Sequence, residues 1–369
     1  MKKIVRLSLP EKCRIIAVSD IHTNRELFDK MLESVKYNPD EDYLVIVGDF
    51  LEHWNDNLNT LEYVKNLCEN SDKAICLLGN NDIRCVKMAF DYDYVKFRKN
   101  FVYNRNGNEN CFMQMAHNVG FTECTEENFT SMRKAVCDKY GDYLRFIKNL
   151  PVCLETEKYV FVHAGVENRP DWENTSDKFA ITVPWFMRKE NPTGKWLVVG
   201  HYPTYNYKRA NATNLPLVDE KKKMICIDGG LGIKTACQMN FLIIHKDGEN
   251  YTHEIKWKSP YPERYVEKDF SCSLTPQYVD WSNQDIEILS EKCGLLKVHD
   301  KVRNVCGYIP KRSAYKKDGR ITVYQTLSSF PEVKKGEWVN VCSEDNGLLL
   351  VITQNGKVGW IPAENIDLN

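Results

Sequence analysis

Apolar residues recur along the first part of the chain in two alternating patterns. Three short apolar runs, at residues 13–18, 43–47 and 74–78, have the length and the flanking residues of buried strands. Each run is followed by polar residues and then by a segment with the three- and four-residue apolar spacing of an amphipathic helix. Strands that alternate with helices predict a parallel sheet whose polar strand ends gather along one edge.

The strand pattern returns after a long helical segment. Residues 84–150 are mainly helical in pattern, and we interpret them as a helical insertion. Further strands are predicted at residues 159–162, 196–199, 224–227 and 239–244, and Asp247-Gly248 predicts a hairpin that leads to a strand at residues 251–255. The predicted fold class of this part is α/β.

The last third of the chain has a different pattern, of short strands and turns after a linker at residues 259–262. It contains a repeat, because residues 290–298 match residues 343–351 at an offset of 53 residues. The two copies continue to Gly307-Tyr308-Ile309-Pro310 and to Gly359-Trp360-Ile361-Pro362. We therefore predict a domain at residues 1–257 and two copies of a small all-β unit at residues 259–312 and 313–369.

Composition is that of a folded protein with two or three domains. The chain has 369 residues, 43% of them hydrophobic, and 50 Lys and Arg residues nearly balance 51 Asp and Glu residues. This balance does not favour nucleic acid or an anionic membrane as the main partner. Charges at Arg6, Glu11, Lys12 and Arg14 interrupt any signal peptide, and no apolar stretch is long enough to span a membrane. The fourteen scattered cysteines favour reduced thiols, so we expect a cytoplasmic protein.

Residues with metal-ligating side chains follow several of the predicted strands. Asp20 and His22 end the first strand, where both side chains can turn toward the carboxyl edge at which α/β sheets usually bind ligands. This pair alone is a weak signal, because a strand-end Asp is more often a turn former or a helix cap. Four more motifs follow strands in order: Gly48-Asp49, Gly79-Asn80, His163-Ala164-Gly165 and Gly200-His201.

This ordered set of five motifs resembles the calcineurin-like metallophosphoesterase superfamily. Between the motifs, residues 150–157, 161–165, 184–188 and 198–204 most resemble its bacterial phosphoprotein phosphatase branch, which includes serine/threonine phosphatases and dinucleoside tetraphosphatases. The second C-terminal repeat resembles a Src-homology-3-like barrel at residues 333–338, 354–357 and 360–366. The implied fold is a metallophosphoesterase β-sandwich flanked by helices, followed by two small all-β barrels.

The resemblance implies a site with two divalent metal ions. Asp20 and His22 would bind one ion, Asp49 would bridge both, and the second ion would be held by Asn80, His163 and His201. Carboxylate and imidazole ligands suit Mn, Fe or Zn, and a bridging carboxylate brings two cations within about 3.5–4 Å of each other. A hydroxide held between two such ions is a nucleophile at neutral pH.

Two positions depart from the branch that the chain resembles. Where the branch has an acidic residue and a phosphate-binding Arg, this chain has Glu52-His53, and Asn81 stands where a His would protonate the leaving oxygen. An amide is no general acid near pH 7, and such acids contribute roughly 10²–10⁴-fold in rate. Three consequences remain open: a preference for good leaving groups, substitution of the acid by His53, or loss of catalysis with metal binding retained.

Other residues have candidate roles with structural alternatives. Arg188 is a candidate phosphate clamp, since its guanidinium matches phosphate oxygens, but it could equally be an exposed Arg beside Trp185. Asp82, which the resemblance assigns to orienting the missing His, could instead cap the next helix. The histidines outside the motifs are interpreted as surface or core residues: His117, His245, His253 and His299.

Three functions compete on these grounds. The first is a metal-dependent phosphatase acting on phosphomonoesters, with phosphoserine or phosphothreonine proteins as candidate substrates. The second is a nucleotide or dinucleoside polyphosphate hydrolase. The third is a catalytically weakened metal-binding scaffold whose C-terminal barrels bind a protein partner, a reading in which Trp338 and Trp360 have either packing or peptide-binding roles.

Overall fold

The structure is a computed structural model, and it describes residues 4–102, 107–207, 212–273, 277–279, 286–292, 294–301, 304–317, 320–323 and 326–368. The chain divides into two compact units. The first comprises Met1–Thr204, Pro216–Ile233 and Gln238–Lys258, and the second comprises Tyr205–Leu215, Lys234–Cys237 and Ser259–Asn369. The change of unit after Lys258 lies beside the predicted linker, whereas the boundary at residue 312 stays a prediction.

The first unit contains strands and helices in alternation. Its strands are β1 (Ile4–Arg6), β2 (Lys12–Val18), β3 (Tyr43–Ile46), β4 (Ala74–Cys76), β5 (Cys153–Glu155), β6 (Tyr159–Val162), β7 (Trp196–Val199), β8 (Leu217–Asp219), β9 (Met224–Cys226), β10 (Met239–Asp247) and β11 (Asn250–Lys258). Its helices are α1 (Arg25–Ser34), α2 (Asn57–Asn70), α3 (Asp82–Phe90), α4 (Tyr94–Phe101), α5 (Cys111–His117), α6 (Phe129–Asn149) and α7 (Asp177–Thr182).

Two mixed sheets form the framework of this unit. The five-stranded sheet has the order β11-β10-β2-β3-β4, with β2, β3 and β4 parallel as predicted and β10 antiparallel to β2. The predicted hairpin at Asp247-Gly248 is present, because β10 and β11 pair in antiparallel register across it. The six-stranded sheet has the order β1-β5-β6-β7-β9-β8, in which β6, β7 and β9 run parallel.

The core of this unit combines apolar side chains of both sheets. Ile15 and Val45 of the five-stranded sheet belong to the same buried cluster as Phe161, Val198 and Ile225 of the six-stranded sheet. These residues lie in the short apolar runs that the sequence marks as strands. The mixed α/β fold is therefore confirmed, with a core between two sheets that polar residues approach only at the strand ends.

The segment predicted as a helical insertion contains α3 to α6. Helix α6 buries the face formed by Met132, Val136, Tyr140, Leu144 and Ile147, which repeat at three- and four-residue spacing. The shorter helices are delimited by caps: the side chain of Asn110 accepts a hydrogen bond from the Met113 amide at 2.9 Å and so begins α5.

The second unit is all-β in the residues that the structure describes. Its strands are β12 (Glu263–Tyr265), β13 (Gln277–Val279), β14 (Ile286–Lys292), β15 (Leu295–Asp300), β16 (Val305–Pro310), β17 (Ala314–Lys317), β18 (Arg320–Val323), β19 (Thr326–Ser328), β20 (Trp338–Asp345), β21 (Leu348–Thr353) and β22 (Val358–Pro362). Short 3₁₀ turns follow at Lys311–Ser313 and Ala363–Asn365.

The sequence repeat is also a structural repeat. Strands β14, β15 and β16 pair as a three-stranded antiparallel sheet, and β20, β21 and β22 pair in the same way. The register shifts between Ile288 and Ser290 in the first copy and between Val341 and Ser343 in the second, at the repeat offset. Small all-β sheets are thus confirmed, whereas their closure into Src-homology-3-like barrels remains a prediction.

The two Trp residues with alternative roles differ in exposure. Trp360 is buried, so its packing role holds. Trp338 is 46% exposed and its ring meets that of Tyr265 at 5.6 Å between centroids. Partner binding through this unit stays a prediction.

Within the described residues, none of the helices has the length and apolar character needed to cross a membrane.

Candidate metal centre

Six polar residues that follow five strands of the first unit meet at one place. They are Asp20 and His22 after β2, Asp49 after β3, Asn80 after β4, His163 after β6 and His201 after β7. The strands belong to two sheets, so the site lies where the carboxyl ends of both sheets come together. The sequence motifs predict this gathering, although not its division between two sheets.

Backbone hydrogen bonds join the loops that carry these residues. The Asp20 amide donates to the Gly48 carbonyl at 3.0 Å, and the His22 amide donates to the Asp49 carbonyl at 3.1 Å. The Gly200 amide donates to the carbonyl of His163 at 2.8 Å. Neighbouring loops are therefore fixed to each other before any ligand binds.

Four of the six residues have a left-handed backbone. The φ angles of Asp20, His22, Asp49 and His201 are 53°, 47°, 54° and 66°. An L-residue in this region costs about 1–2 kcal/mol, and such strain concentrates where function requires a special geometry. The strain thus marks the same residues that the motifs select.

The first set of potential ligands comprises Asp20, His22 and Asp49. Each offers one ligand atom, and these atoms lie within 4.8 Å of one another. Nδ1 of His22 donates to the Leu51 carbonyl at 2.9 Å, which leaves the lone pair on Nε2, 3.8 Å from Oδ1 of Asp20. A metal-binding His is oriented in this manner by a hydrogen bond from its other nitrogen.

The second set comprises Asp49, His163 and His201, with ligand atoms again within 4.8 Å of one another. Nδ1 of His163 donates to the Val47 carbonyl at 2.9 Å, so Nε2, which lies 3.4 Å from Oδ2 of Asp49, is the nitrogen that would bind a metal after losing its proton. Because Asp49 belongs to both sets, its carboxylate has the position of a bridging ligand.

The Asn80 amide provides a test of whether cations fit this cluster. Its Oδ1 lies 3.1 Å from Nε2 of His163 and in this orientation faces only acceptors. Rotating the amide would place its nitrogen 2.7 Å from Nδ1 of His201, and both the oxygen and the nitrogen of the amide would then have hydrogen-bond partners without a metal. With a divalent cation present, the inward oxygen becomes a ligand among nitrogen and oxygen donors. The residues therefore fit two metal ions.

Buried carboxylates give the cluster excess negative charge. Asp20, Asp49, Asp82 and Asp228 are each at most 3% exposed. Burial and the nearby Asp228 carboxylate raise the pKa of Asp20 well above its usual range, and burial together with Asp49 raises the pKa of Asp82 to about 7. Bound cations would offset this repulsion.

The pKa values of His163 and His201 shift in opposite directions. Burial disfavours the charged form of His163, but the Asp49 carboxylate outweighs it and raises the pKa of His163 to about 10. The same pair lowers the pKa of Asp49 despite its burial. Burial and the charge of His163 lower the pKa of His201 to about 4, so this imidazole is neutral and free to ligate.

Two motif glycines permit the close approach of these side chains. A Cβ atom at Gly79 would lie 2.1 Å from Oδ1 of Asp49, and one at Gly200 would lie 2.3 Å from Oδ2 of Asp20. Any larger residue would displace a potential metal ligand. The Gly-Asn and Gly-His motifs are thus required by packing around the carboxylates.

Asp82 and Asn81 both form hydrogen bonds with Asp49. Oδ2 of Asp82 accepts from the amides of Asp49 at 2.8 Å and of Gly79 at 2.9 Å, and Oδ1 accepts from the Leu51 amide at 3.1 Å. Asn81 donates its amide to Oδ1 of Asp49 at 2.8 Å and its side-chain nitrogen to Oδ2 at 2.6 Å. Neither of the two interpretations of Asp82 includes this organisation of three backbone amides.

His53 lies beside the ligands, whereas Arg188 lies on a Trp. The His53 ring is T-shaped against the His22 ring at 4.3 Å and lines a cavity of about 330 Å³. Arg188 is exposed, and its guanidinium covers the Trp185 ring at 4.1 Å. This geometry matches the alternative of an exposed Arg, and the clamp role of Arg188 stays a prediction.

The histidines outside the motifs have other partners in the residues described. His117 pairs with Glu109 at 3.0 Å and His245 lies 3.4 Å from Glu254. His253 packs against the Trp196 ring, and His299 lies 3.0 Å from the side-chain oxygen of Asn304.

Two residues near the site escape the sequence reasoning. Asp228 follows the apolar run of β9 and is buried, so the strand-end signal used for Asp49 would have found it. Arg84, in the first turns of α3, lines the same cavity as His53, with Nη1 at 3.9 Å from Oε2 of Glu52. No strand-end pattern marks Arg84.

Comparison with known proteins identifies the family. The family described as calcineurin-like phosphoesterase matches residues 13–229, which is more than half of the chain. The chain belongs to this family. The prediction of a phosphoesterase with candidate ligands for two metals is therefore confirmed at the level of the family and of the residues brought together.

Curated relatives match part of this calcineurin-like phosphoesterase. A symmetrical bis(5'-nucleosyl)-tetraphosphatase of Actinobacillus succinogenes is 25% identical over 158 residues, and one of Haemophilus influenzae is 33% identical over 160 residues. Each match covers 42% of this chain and 45% of the relative. The chain thus spans less than half the length of these relatives. A serine/threonine phosphatase structure from Saccharomyces cerevisiae is 12% identical to this chain. The match covers 70% of this chain and 85% of the yeast chain, with a TM-score of 0.43.

Proposed function

We propose that this protein hydrolyses phosphate esters or anhydrides with the help of two divalent cations. The observation that carries the proposal is that two sets of ligand atoms share the buried Asp49, with the atoms of each set within 4.8 Å of one another. Two bound cations would activate water and neutralise phosphate charge. Asp20 and His22 would hold one with Asp49, and the second would be held by Asp49 with the remaining residues, Asn80, His163 and His201. Mn, Fe or Zn suit these donors.

The chain's own residues fix the orientation of the shared carboxylate. Asn81 donates to both oxygens of Asp49, and Asp82 binds the Asp49 amide. An orientation held from two sides keeps the Asp49 oxygens directed into the cluster in the resting protein. Such preorganisation lowers the cost of assembling the site when substrate binds.

Asn81 cannot give a proton to the leaving group, because an amide does not titrate near pH 7. Substrates whose leaving groups are weak bases are therefore favoured, and these include aryl phosphates and phosphoanhydrides. His53 contacts the His22 ring and lines the cavity beside the site. It is the candidate for assisting poorer leaving groups.

Two substrate classes follow from these properties. Phosphomonoesters, including phosphoserine and phosphothreonine in proteins, are one class. Nucleotides or dinucleoside polyphosphates are the second, and it is favoured by the missing acid and by the tetraphosphatase names of the curated relatives. A metal-binding scaffold without turnover is the alternative to both.

Hydrolysis of p-nitrophenyl phosphate with Mn²⁺ tests the proposal. We expect turnover by the native chain and a loss of at least about 10³-fold in kcat for Asp49→Asn, since both cations lose a shared carboxylate. Asp138→Asn is the matched control, because Asp138 is 62% exposed and pairs only with Lys134 among described residues. Two metals bound per chain without turnover of this ester, a phosphopeptide or diadenosine tetraphosphate would establish the scaffold instead.

A further inference from the structure

A cavity of about 330 Å³ adjoins the proposed metal centre. Asn81 and His53 form its side toward the metal ligands, since Asn81 bonds Asp49 and the His53 ring contacts that of His22. Its volume is at the lower end of small-molecule sites. A group attached to a phosphate at the metals therefore has a bounded space to enter.

Two cations from neighbouring helices line this cavity. Arg84 of α3 is 18% exposed and lies 3.9 Å from Glu52, while Lys99 is exposed on the last turn of α4. A guanidinium offers a planar fork of donors that fits phosphate oxygens, and a Lys ammonium adds a mobile charge. Together they give the cavity the groups that bind a phosphate.

The cavity also contains two carboxyl groups, those of Glu52 and Glu109. Burial raises the pKa of Glu52 to about 7, so this carboxyl only partly offsets the charge of Arg84 at neutral pH. Oε1 of Glu109 lies 3.0 Å from Nδ1 of His117. Each carboxyl thus has a hydrogen-bond partner besides the two cations, the Cys111 amide for Glu52 and His117 for Glu109.

The cavity wall is held in place by bonds to the loop after β3. The side-chain nitrogen of Asn108 donates to the His53 carbonyl at 2.5 Å, and the Glu109 amide donates to Oδ1 of Asn55 at 3.0 Å. Asn57 donates to the Glu109 carbonyl at 3.1 Å. These contacts fix residues 108–109 against the loop that carries His53.

We propose that this cavity is an anion subsite in which Arg84 and Lys99 bind a second phosphate, joined to the phosphate at the metal centre. The inference rests on the proposed function and specifies its substrate class as phosphoanhydrides. In hydrolysis, a water oxygen bonds to the phosphorus at the metals and the bridging P–O bond breaks. The bridging oxygen leaves with the electron pair on the phosphate in the subsite, and the water protons pass to the products and solvent.

Inhibition of p-nitrophenyl phosphate hydrolysis by two anions tests the subsite. Inorganic phosphate can occupy the metal centre alone, whereas pyrophosphate can occupy the metal centre and the subsite together. With free Mn²⁺ held constant, Arg84→Met is expected to raise the inhibition constant of pyrophosphate about 10- to 100-fold more than that of phosphate. Lys99→Met is expected to act in the same direction, at about threefold or more.

Matched control variants test whether a change in the inhibition constants is specific to the cavity. Arg98→Met changes an exposed cation next to Lys99 that does not line the cavity, and we expect no change in either inhibition constant. Arg84→Lys keeps the charge without the fork and is expected to lie between the native protein and Arg84→Met. Thermal melting establishes that each variant is folded. If Arg84→Met does not fold, Lys99→Met decides the result.

Equal increases for phosphate and pyrophosphate in both variants would overturn the subsite and leave the proposed function intact. Absence of turnover of the ester, a phosphopeptide and diadenosine tetraphosphate by the native chain would instead refute the proposed function. In that case the subsite is tested by calorimetry of pyrophosphate binding to the Mn²⁺-loaded protein. An affinity in Lys99→Met equal to that of the native protein overturns the subsite. ADP distinguishes the source of the second phosphate: inhibition at least tenfold tighter than by pyrophosphate identifies a nucleotide, and equal inhibition identifies an inorganic polyphosphate.

Discussion

Replacing Glu52 by Gln is expected to stabilise the metal-free protein at high pH and to change it much less at low pH. Glu52 is 5% exposed and accepts a hydrogen bond from the Cys111 amide at 3.2 Å. Gln keeps an oxygen for this bond and removes the charge. The substitution therefore isolates the cost of ionising this carboxyl inside the protein.

The size of the effect follows from the pKa of Glu52. Burial raises this pKa from 4.5 to about 7, against the favourable charge of Arg84 and with a smaller contribution from Asp49. Because the folded pKa is the higher one, ionisation opposes folding above pH 7, and this opposition is lost as pH falls toward 4.5. The expected gain from Glu52→Gln is about 3 kcal/mol at pH 8 and about 1 kcal/mol at pH 5.

Urea unfolding of the chelated protein at pH 5 and pH 8 measures this difference. Chelation is needed because cations near Asp49 would change the charges around Glu52. We expect the gap between variant and native free energies of unfolding to widen by about 2 kcal/mol from pH 5 to pH 8. A gap that is the same at both pH values would refute the reasoning. Glu62→Gln, at an exposed position of α2, is the control and should give no such widening.

Two further substitutions test the residues around the shared carboxylate. Asp82→Asn keeps one acceptor oxygen but presents a donor to one or more of the three buried backbone amides that Asp82 accepts from. It should therefore lower the free energy of unfolding by about 1–3 kcal/mol and weaken Mn²⁺ binding, as measured by calorimetry. An unchanged urea midpoint would contradict the role assigned to Asp82. His53→Ala should reduce kcat more for alkyl phosphates than for aryl phosphates if His53 supplies a proton, and an equal reduction across leaving groups would exclude that role.

The strands and the candidate metal ligands of the first unit could be predicted from sequence because each rests on a local pattern. Short apolar runs define β2, β3, β4, β6 and β7, and the ligand motifs follow them directly. The left-handed backbone at Asp20 and Asp49, and the close approach of Gly79, agree with these motifs. A local pattern does not reveal which strands share a sheet, and the separate sheet of β6 and β7 depends on long-range pairing.

The cavity could not be predicted because it depends on packing between distant segments. Arg84 and Lys99 come from different helices, and the Asn108 wall reaches His53 across more than fifty residues. Helical periodicity places each residue on its own helix and says nothing about their meeting. The phosphate-clamp prediction for Arg188 relied on the fit of a guanidinium to phosphate oxygens, and the structure offers Arg84 as a cation beside the site.

The residue at position 81 and the cations of the cavity belong to one chemical arrangement. Asn81 donates from its backbone amide and its side-chain nitrogen to Asp49, and as an amide it gives no proton to a departing oxygen. A departing phosphate that lies against Arg84 and Lys99 needs little protonation, because its negative charge is stabilised by these cations. Loss of the acid is then tolerated for a phosphate leaving group, which is a weak base, and penalised for an alkoxide, which is a strong base. Under the proposed function, the substrate preference would therefore depend on the positive charge of Arg84 and Lys99 as well as on that of the two bound cations.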